Sequence, residues 1–487
     1  MRFLKAVSFV FMLCFAVESK AQTFTTLVNF DGNDGSHPAS PLVQGVDGNL
    51  YGTANAGGTS TSNCSGIGGC GTFFSVTTDG ALTTLYNFCP SFSSCLYGRS
   101  PGGTIALAPN GIFYGTTAFG GADEWGEVFT VSPASGTFGR LHSFCSQTSC
   151  PDGMNPGGLI RATDGYLYGT AAGGGAHGQG TAFKMSPHGS LTTLYDFCAL
   201  ANCADGQEPS SLIQATNGTF YGLTFAGGAS TSRGTIFKLS PNGTVTTLHQ
   251  FCAQGNLDCP DGAYPAGLFQ ATDGNLYGTS SGAANNDGTV FRISPNGTFT
   301  TLYTFCTQSN CTDGFGPSSL IQASDGNLYG TAGGGGAYNE GTIFQLTLSG
   351  VFTRLYDFCS QGCANGPGAG GLVQHTDGNF YGGTFYTGSG TGCGSSGCGT
   401  LFKLSTGLAP FVKIVVPQGK TGSSVVILGT NLTGASSVTF NNTSALFTVV
   451  SATEITASVP VGATSGEIQV ITPTITLRSN VPFHVLP

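Results

Sequence analysis

Residues 210–251 read SSLIQATNGTFYGLTFAGGASTSRGTIFKLSPNGTVTTLHQF. Four short runs rich in β-branched and aromatic residues, 210–216, 218–224, 234–240 and 244–251, are separated by turn signals, which predicts four strands, A to D. Asn217-Gly218 links A to B and Pro241-Asn242-Gly243 links C to D. Asn-Gly supplies the positive φ that a tight antiparallel hairpin needs. One such stretch is therefore one small antiparallel sheet.

The same pattern recurs along the chain. The B strand opens with DGNLYGT at Asp47, NGIFYGT at Asn110, DGYLYGT at Asp164, NGTFYGL at Asn217, DGNLYGT at Asp273 and Asp325, and DGNFYGG at Asp377, seven copies in all. A lone sheet with apolar faces such as SLIQA and TIFKLS must pack on a copy of itself on each side, and a radial ring of blades meets that demand. A linear solenoid would need polar end copies, and the sequence has none. The chain ends agree with a ring. Residues 23–30, TFTTLVNF, form an orphan D strand, while the seventh copy stops after its C strand at 399–405. Together they make one blade and remove the exposed edges. The expected fold is all-β: a seven-bladed β-propeller over 22–408, followed by a smaller domain over 409–487. In such blades the BC and DA connections share one face, and the tight AB and CD hairpins share the other.

The N-terminus reads as a secretory signal over 1–21: Arg2 and Lys5, an apolar stretch from Ala6 to Val17, then Ser19-Lys20-Ala21 before the cleavage point. No membrane span is expected in the mature chain. Charged residues are only 8% of the sequence, against roughly 25% in an ordinary globular protein. The formal net charge of −9 argues against nucleic acid and anionic lipid as partners. The expected location is extracellular, secreted or at the cell surface.

Beyond Cys14 in the leader, the cysteines fall into eight close pairs: Cys64 and Cys70, Cys89 and Cys95, Cys145 and Cys150, Cys198 and Cys203, Cys252 and Cys259, Cys306 and Cys311, Cys359 and Cys363, Cys393 and Cys398. An even count at short spacing in an exported chain predicts local disulfides. Histidines at metal-ligand spacing are missing, so no metal is expected, nor any other cofactor. All eight pairs lie in BC or DA connections.

With its Pro, Leu-Ile-Gln, Asp-Gly-Asn-Leu-Tyr-Gly-Thr and Gly-Thr-x-Phe, the repeat resembles the GloVer tandem repeat of bacterial exported proteins over about residues 23–405, and more loosely the NHL propeller repeat. The resemblance implies a β-strand repeat and brings no assigned activity or catalytic residue. Residues 409–487 resemble an IPT/TIG domain through Pro417, Gly419, Gly422, VVILGTNL (425–432), VTFNN (438–442), ITASVP (455–460), GEIQVIT (466–472) and Asn480-Val-Pro-Phe483. That resemblance implies an immunoglobulin-like β-sandwich serving as spacer or interaction module.

Chemistry is sought where the repeat breaks. The Asp and Asn of the DGN turns and the Tyr that follows are better read as hairpin and packing residues. The CxDG aspartates Asp152, Asp205, Asp261 and Asp313 read as turns closing disulfide loops rather than cation ligands. The BC loops, by contrast, differ: Ala122-Asp123-Glu124-Trp125-Gly126-Glu127 in copy two, His177-Gly178-Gln179 in three, Arg233 in four, Asn285-Asn286-Asp287 in five, Tyr338-Asn339-Glu340 in six. The single Trp of the chain, Trp125, sits among three carboxylates. An aromatic ring beside carboxylates and amides suits a polyhydroxylated ligand, so the candidate ligand-binding residues are Trp125, Asp123, Glu124, Glu127, Tyr338 and Glu340. The expectation is a binding or adhesion module for extracellular polysaccharide or a surface protein. Its rivals are an exported glycoside hydrolase using Glu124, Glu127 and Glu340 on the same face, and a purely structural surface protein. No catalytic motif is recognisable.

Overall fold

The computed structural model describes residues 22–486 apart from 39, 60–63, 65–67, 91–94, 229–231, 254–258, 283–286, 361–362, 364–367, 387–392 and 394–396. The expected leader and the loop residues Asn285 and Asn286 lie outside the described residues.

Seven antiparallel sheets follow one another along the chain, each with the order A-B-C-D from its first strand to its last. In blade 4 the strands are Gln207–Gln214, Phe220–Ala226, Thr235–Leu239 and Val245–Gln250. Blades 1 and 2 have strand A in two pieces, Ser36–Pro38 with Val43–Gln44 and Arg99–Pro101 with Ala106–Leu107. The ring closes as expected. Thr23–Asn29 is the outer strand of blade 7, pairing Thr23 with Ser405 and Asn29 with Thr400.

Strand A begins earlier than its apolar run indicates, at Gln207 rather than Ser210. A bulge between Pro209 and Ser211 lets the chain keep pairing across a residue that has no N–H to give. The bulge follows Glu208, whose φ is +55°.

Three motifs of the repeat prove to be parts of one packing scheme. The Gly of each Tyr-Gly leaves room for the Phe of Gly-Thr-x-Phe on strand C of the same blade. A Cβ at Gly222 would lie 2.3 Å from Phe237 Cζ, and one at Gly52 2.9 Å from Phe74 Cζ. The Tyr itself packs on the next blade, as Tyr168 stacks on Phe220 at 4.2 Å and Tyr329 on Phe380 at 4.4 Å. Its hydroxyl donates to the Asp four residues earlier in five blades, at 2.8–3.0 Å. The Pro of strand A rests on the Gly before strand C of the preceding blade, where a Cβ at Gly126 would meet Pro156 Cδ at 2.6 Å. The Gln of Leu-Ile-Gln accepts the N–H of the AB turn of the preceding blade: Gln214 from Thr163, Gln270 from Thr216, Gln322 from Thr272, Gln374 from Ser324. Gln44 does the same for Thr376 across the closure, so the joint between blades 7 and 1 is made like the others.

Residues beyond the ring form a β-sandwich with sheets of order Lys413–Ile414, Ser424–Leu428, Glu454–Ser458, Phe447–Val449 and Thr443–Ser444, Ser437–Phe440, Ile468–Ile471, Thr476–Arg478. Val412, Ile427, Phe440, Ile455, Val470 and Phe483 fill its core. It meets the ring on the hairpin side, where Thr453 Oγ1 donates to Val46 O at 2.8 Å and Phe411 N to Thr376 O at 3.1 Å. The opposite, loop-bearing face is left open by these contacts. Among the described residues no helix is long and apolar enough to cross a membrane.

Candidate functional site

The loop face is built from the BC and DA connections, and the eight expected cysteine pairs are all bonded as disulfides there. Cys64 is joined to Cys70 and Cys393 to Cys398 in BC loops. In DA connections Cys89 is joined to Cys95, Cys145 to Cys150, Cys198 to Cys203, Cys252 to Cys259, Cys306 to Cys311 and Cys359 to Cys363. The pairing is as the spacing predicts, but the backbone is not. In the last five of these loops both cysteines are left-handed, so that Cys150, Cys203, Cys259, Cys311 and Cys363 have φ of +47°, +50°, +27°, +49° and +64°. Cysteine carries no preference for that region, and it is the tight loop that imposes it.

The CxDG carboxylates are consumed in closing those loops. Asp152 Oδ2 meets His142 Nε2 at 2.8 Å while Asp152 Oδ1 accepts Cys145 N at 3.0 Å. Asp205 accepts Tyr195 Oη at 2.8 Å and Ala199 N at 3.0 Å, and Asp261 and Asp313 are held likewise by His249 and Tyr303. A carboxylate with these donors is a loop clamp.

An axial channel of about 630 Å³ opens on this face. Its walls are the A strands of all blades, with Ser100, Gly157, Ser211, Gly267, Ser319 and Gly371 among the lining residues and no charged side chain among those described. Of the ten exposed large apolar side chains among the described residues of the ring, eight sit in BC or DA connections or at the strand ends leading into them: Leu96, Tyr97, Phe119, Trp125, Leu200, Phe225, Tyr338 and Tyr386. The other two, Tyr166 and Val351, lie on the hairpin side. Exposed apolar surface is thus concentrated on one face, the usual mark of a contact surface.

Asp123, Glu124 and Trp125 share the exposed BC loop of blade 2, with Trp125 42% accessible. The loop is fixed by a parallel bridge between Gly120 and Trp125 and by Asn155 N donating to Trp125 O at 2.9 Å. Glu124 Oε2 pairs with Arg99 Nη2 at 3.4 Å, and Arg99 lies over the Phe119 ring at 5.2 Å. Tyr338 is exposed and Glu340 half-buried on blade 6, where Glu340 bridges to Gly335. Blades 1 and 7 stand between the two loops.

Glu127 is elsewhere. It opens strand C of blade 2 and its side chain is 0% accessible, so it cannot serve as a polar partner on the open loop surface. Among the described residues neither carboxyl oxygen has a hydrogen-bond partner, nor does Thr117 Oγ1 on the residue paired with it across the sheet. Burial pushes the carboxyl up to about 8, with Arg140 nearby pulling the other way. Such a group is protonated at neutral pH. The signal was in the sequence, because this position is Thr72, Thr181, Thr235, Thr289, Thr342 and Thr400 in the other six blades. Glu124, paired to Arg99 at the surface, and Glu127, buried beneath the same loop, do not face each other across a cleft, as a glycosidase pair would.

Comparison with known proteins agrees with the architecture. The profile described as the Gloeobacter/Verrucomicrobia repeat matches residues 13–150, 100–311 and 155–394. The IPT/TIG domain profile matches 410–485. No curated protein matches the chain by sequence. Among solved structures, a streptogramin B lyase is similar with a TM-score of 0.51 and 13% identity, covering 79% of this chain and 97% of the lyase. Two extracellular domains assigned to hybrid two-component systems of B. thetaiotaomicron are also similar. One has a TM-score of 0.52 and 12% identity, covering 96% of this chain and 60% of that one. The other has 0.50 and 14%, covering 91% and 52%. At these identities the likeness is one of fold.

Proposed function

Since the chain belongs to the Gloeobacter/Verrucomicrobia repeat family and carries an IPT/TIG domain, with a propeller whose loop face is open, we propose that it is an extracellular binding module acting through that face on polyhydroxylated ligands, glycan above all. The observation that carries this reading is the concentration of exposed aromatic rings on the loop-bearing face of the ring. Aromatic faces stack on the C–H faces of sugar rings, while flanking carboxylate and amide groups accept their hydroxyl protons. Eight disulfides support an extracellular setting, and the extracellular domains of similar fold are in keeping with a surface role.

Trp125 is the proposed anchor, with Asp123 and Glu124 beside it and Tyr338 and Glu340 across the ring; Glu127 leaves the set. The test is a glycan array on the full secreted chain, followed by affinity measurement on the Trp125→Ala variant. A loss of about 2 kcal/mol or more is expected for an anchor ring. Unchanged affinity with the fold intact would return the blade 2 loop to a solvated role. A reducing-sugar assay on the bound glycans separates binding from hydrolysis, and release of reducing ends would favour the enzyme reading.

A further inference from the structure

Seven equivalent residues at the start of strand A have left-handed backbone: His37 (φ +56°), Ser100 (+55°), Asn155 (+55°), Glu208 (+55°), Tyr264 (+54°), Gly316 (+61°) and Gly368 (+69°). Each donates its N–H to the carbonyl just before the Gly that ends the BC loop of the preceding blade, at 2.8–3.2 Å: Tyr264 to Arg233, Asn155 to Trp125, His37 to Cys398 across the closure. The conformation is therefore imposed by the joint between blades, seven times over. A non-glycine residue is strained in it, because its Cβ crowds the following carbonyl oxygen; in six of the seven a proline follows. Glycine alone satisfies the joint at no steric cost, as blades 6 and 7 demonstrate. Side chains kept at the other five positions, chemically unlike one another and held by no disulfide, are kept against strain, and strain of this kind marks functional sites.

These side chains surround the channel mouth, since Ser100 and the strand B residues facing it and its neighbour, Asn55 and Ala118, line the channel. Each reaches the end of strand B in the preceding blade. Tyr264 stacks on Phe225 at 4.9 Å, with the Arg233 guanidinium over its ring at 5.0 Å and donating to its hydroxyl. His37 lies on Phe385 at 4.8 Å with Tyr386 edge-on at 5.8 Å. Asn155 Nδ2 donates to Ala118 O at 2.9 Å. Between the two aromatic stacks, the joints of blades 5/6 and 6/7 carry only Ser281, Gly316, Gly333 and Gly368. Among the described residues a Cβ at Gly316 would meet nothing within 4 Å, and one at Gly368 would meet only Tyr386 Cδ2, at 3.9 Å.

We propose that this arc is the main ligand groove: a neutral polysaccharide chain lies over the backbone of Gly316 and Gly368, with its sugar rings against Tyr264–Phe225 at one end and His37–Phe385–Tyr386 at the other. The proposal rests on the glycan-binding reading above and moves its centre from blade 2 to the sector of blades 4 to 7. Neutral sugar is the class because the one cation beside the arc, the Arg233 guanidinium, is engaged with Tyr264, while the flanking loop carboxylates Asp287 and Glu340 and the net negative chain repel polyanions. Tyr338, exposed on the blade 6 loop between the stacks, is placed to close over the chain.

The test is affinity electrophoresis of the full chain in native gels containing xyloglucan, galactomannan or polygalacturonate. Gly316→Tyr fills the groove with a residue that blade 5 already carries in the same backbone conformation. Tyr264→Ser removes one stack using the residue of blade 2, so both variants have a precedent for folding within the ring. The expected result is retardation of the wild type by a neutral polysaccharide, weakened at least tenfold in both variants while each still unfolds cooperatively, Gly316→Tyr at a somewhat lower temperature because of its left-handed backbone. If both variants are retarded like the wild type while Trp125→Ala is not, the groove is refuted and the binding module survives through blade 2. Retardation by polygalacturonate alone refutes the neutral ligand. A wild type retarded by none of the three overturns this proposal, and failure on the full glycan array as well overturns the reading beneath it.

Discussion

Replacing Glu127 by Thr should stabilise the ring, and by an amount that depends on pH. The side chain is fully buried, both carboxyl oxygens lack partners, and its value stands at about 8, against about 4.3 for a glutamate in an unfolded chain. Below about pH 4 native and unfolded states both hold the proton and ionisation contributes nothing. As pH rises from about 4.3 to about 8, the unfolded chain releases the proton and the native state keeps it, so stability falls throughout this window. Above about 8 both are ionised and the loss is complete. At 1.36 kcal/mol per pH unit the full span comes to about 5 kcal/mol, of which about 4 falls between pH 5 and pH 8. The groups facing Glu127 are Arg140, which lowers its value, and Tyr86, which stays neutral over this range. Threonine is the matched replacement. Blade 4 pairs Thr224 Oγ1 with Thr235 Oγ1 at 2.9 Å and blade 7 pairs Thr384 with Thr400 at 2.9 Å, and blade 2 already supplies Thr117 as the other half. Urea unfolding of the disulfide-intact wild type and Glu127→Thr at pH 5, 6.5, 8 and 9 measures the effect, with every other titrating group cancelling in the difference. The gap should widen up to pH 8 and then level off. A gap that stays constant with pH would mean that Glu127 ionises as readily in the folded protein as in the unfolded one, and would refute the reasoning.

Deleting residues 22–30 removes the outer strand of blade 7 and should lower the melting temperature of the whole ring by many degrees; an unchanged melting curve would show that Thr23–Asn29 does not carry the closure. Tyr277→Phe loses a hydrogen bond to the Asp273 carboxylate and should cost about 1.5–3 kcal/mol, whereas Tyr221, whose buried hydroxyl has no partner above Asn217, should tolerate Phe at no cost. Chemical denaturation of the pair checks the contrast, and equal losses would deny the Tyr–Asp bond its role. Peptide mapping without reduction should find bridges only within each short cysteine pair, and a bridge between different repeats would overturn the pairing.

The architecture was legible because the repeat states each rule seven times. Asx-Gly turns fix the hairpins, apolar faces demand neighbours, and the two incomplete ends, 23–30 and 399–405, name each other as partners. Packing roles were less legible where a motif acts between blades. The Gly after each Tyr reads as a place for adjacent sheets to approach, yet the structure fills it with the Phe of strand C in its own blade. The Gln of strand A, which accepts a turn N–H from the neighbouring blade, has no local signature at all. Glu127 shows how a site reading goes astray: its neighbours in sequence are exposed loop residues, but Gly126 ends the loop and the next residue is already the buried head of strand C, where the alternation of a strand decides its direction.

The left-handed ring was the least legible feature, for a physical reason. Positive φ is normally read from Gly or Asn, and four of these seven positions carry His, Ser, Glu and Tyr. The conformation is dictated from outside the residue, by the carbonyl of the preceding blade, so local composition does not report it. That independence is what frees the positions for recognition. A joint that fixes the backbone whatever the side chain lets each blade present a different group at the channel mouth, with the direction of every group set in advance. A family of such repeats can then change its ligand by exchanging one residue per blade while every turn, stack and disulfide of the scaffold stays as it is.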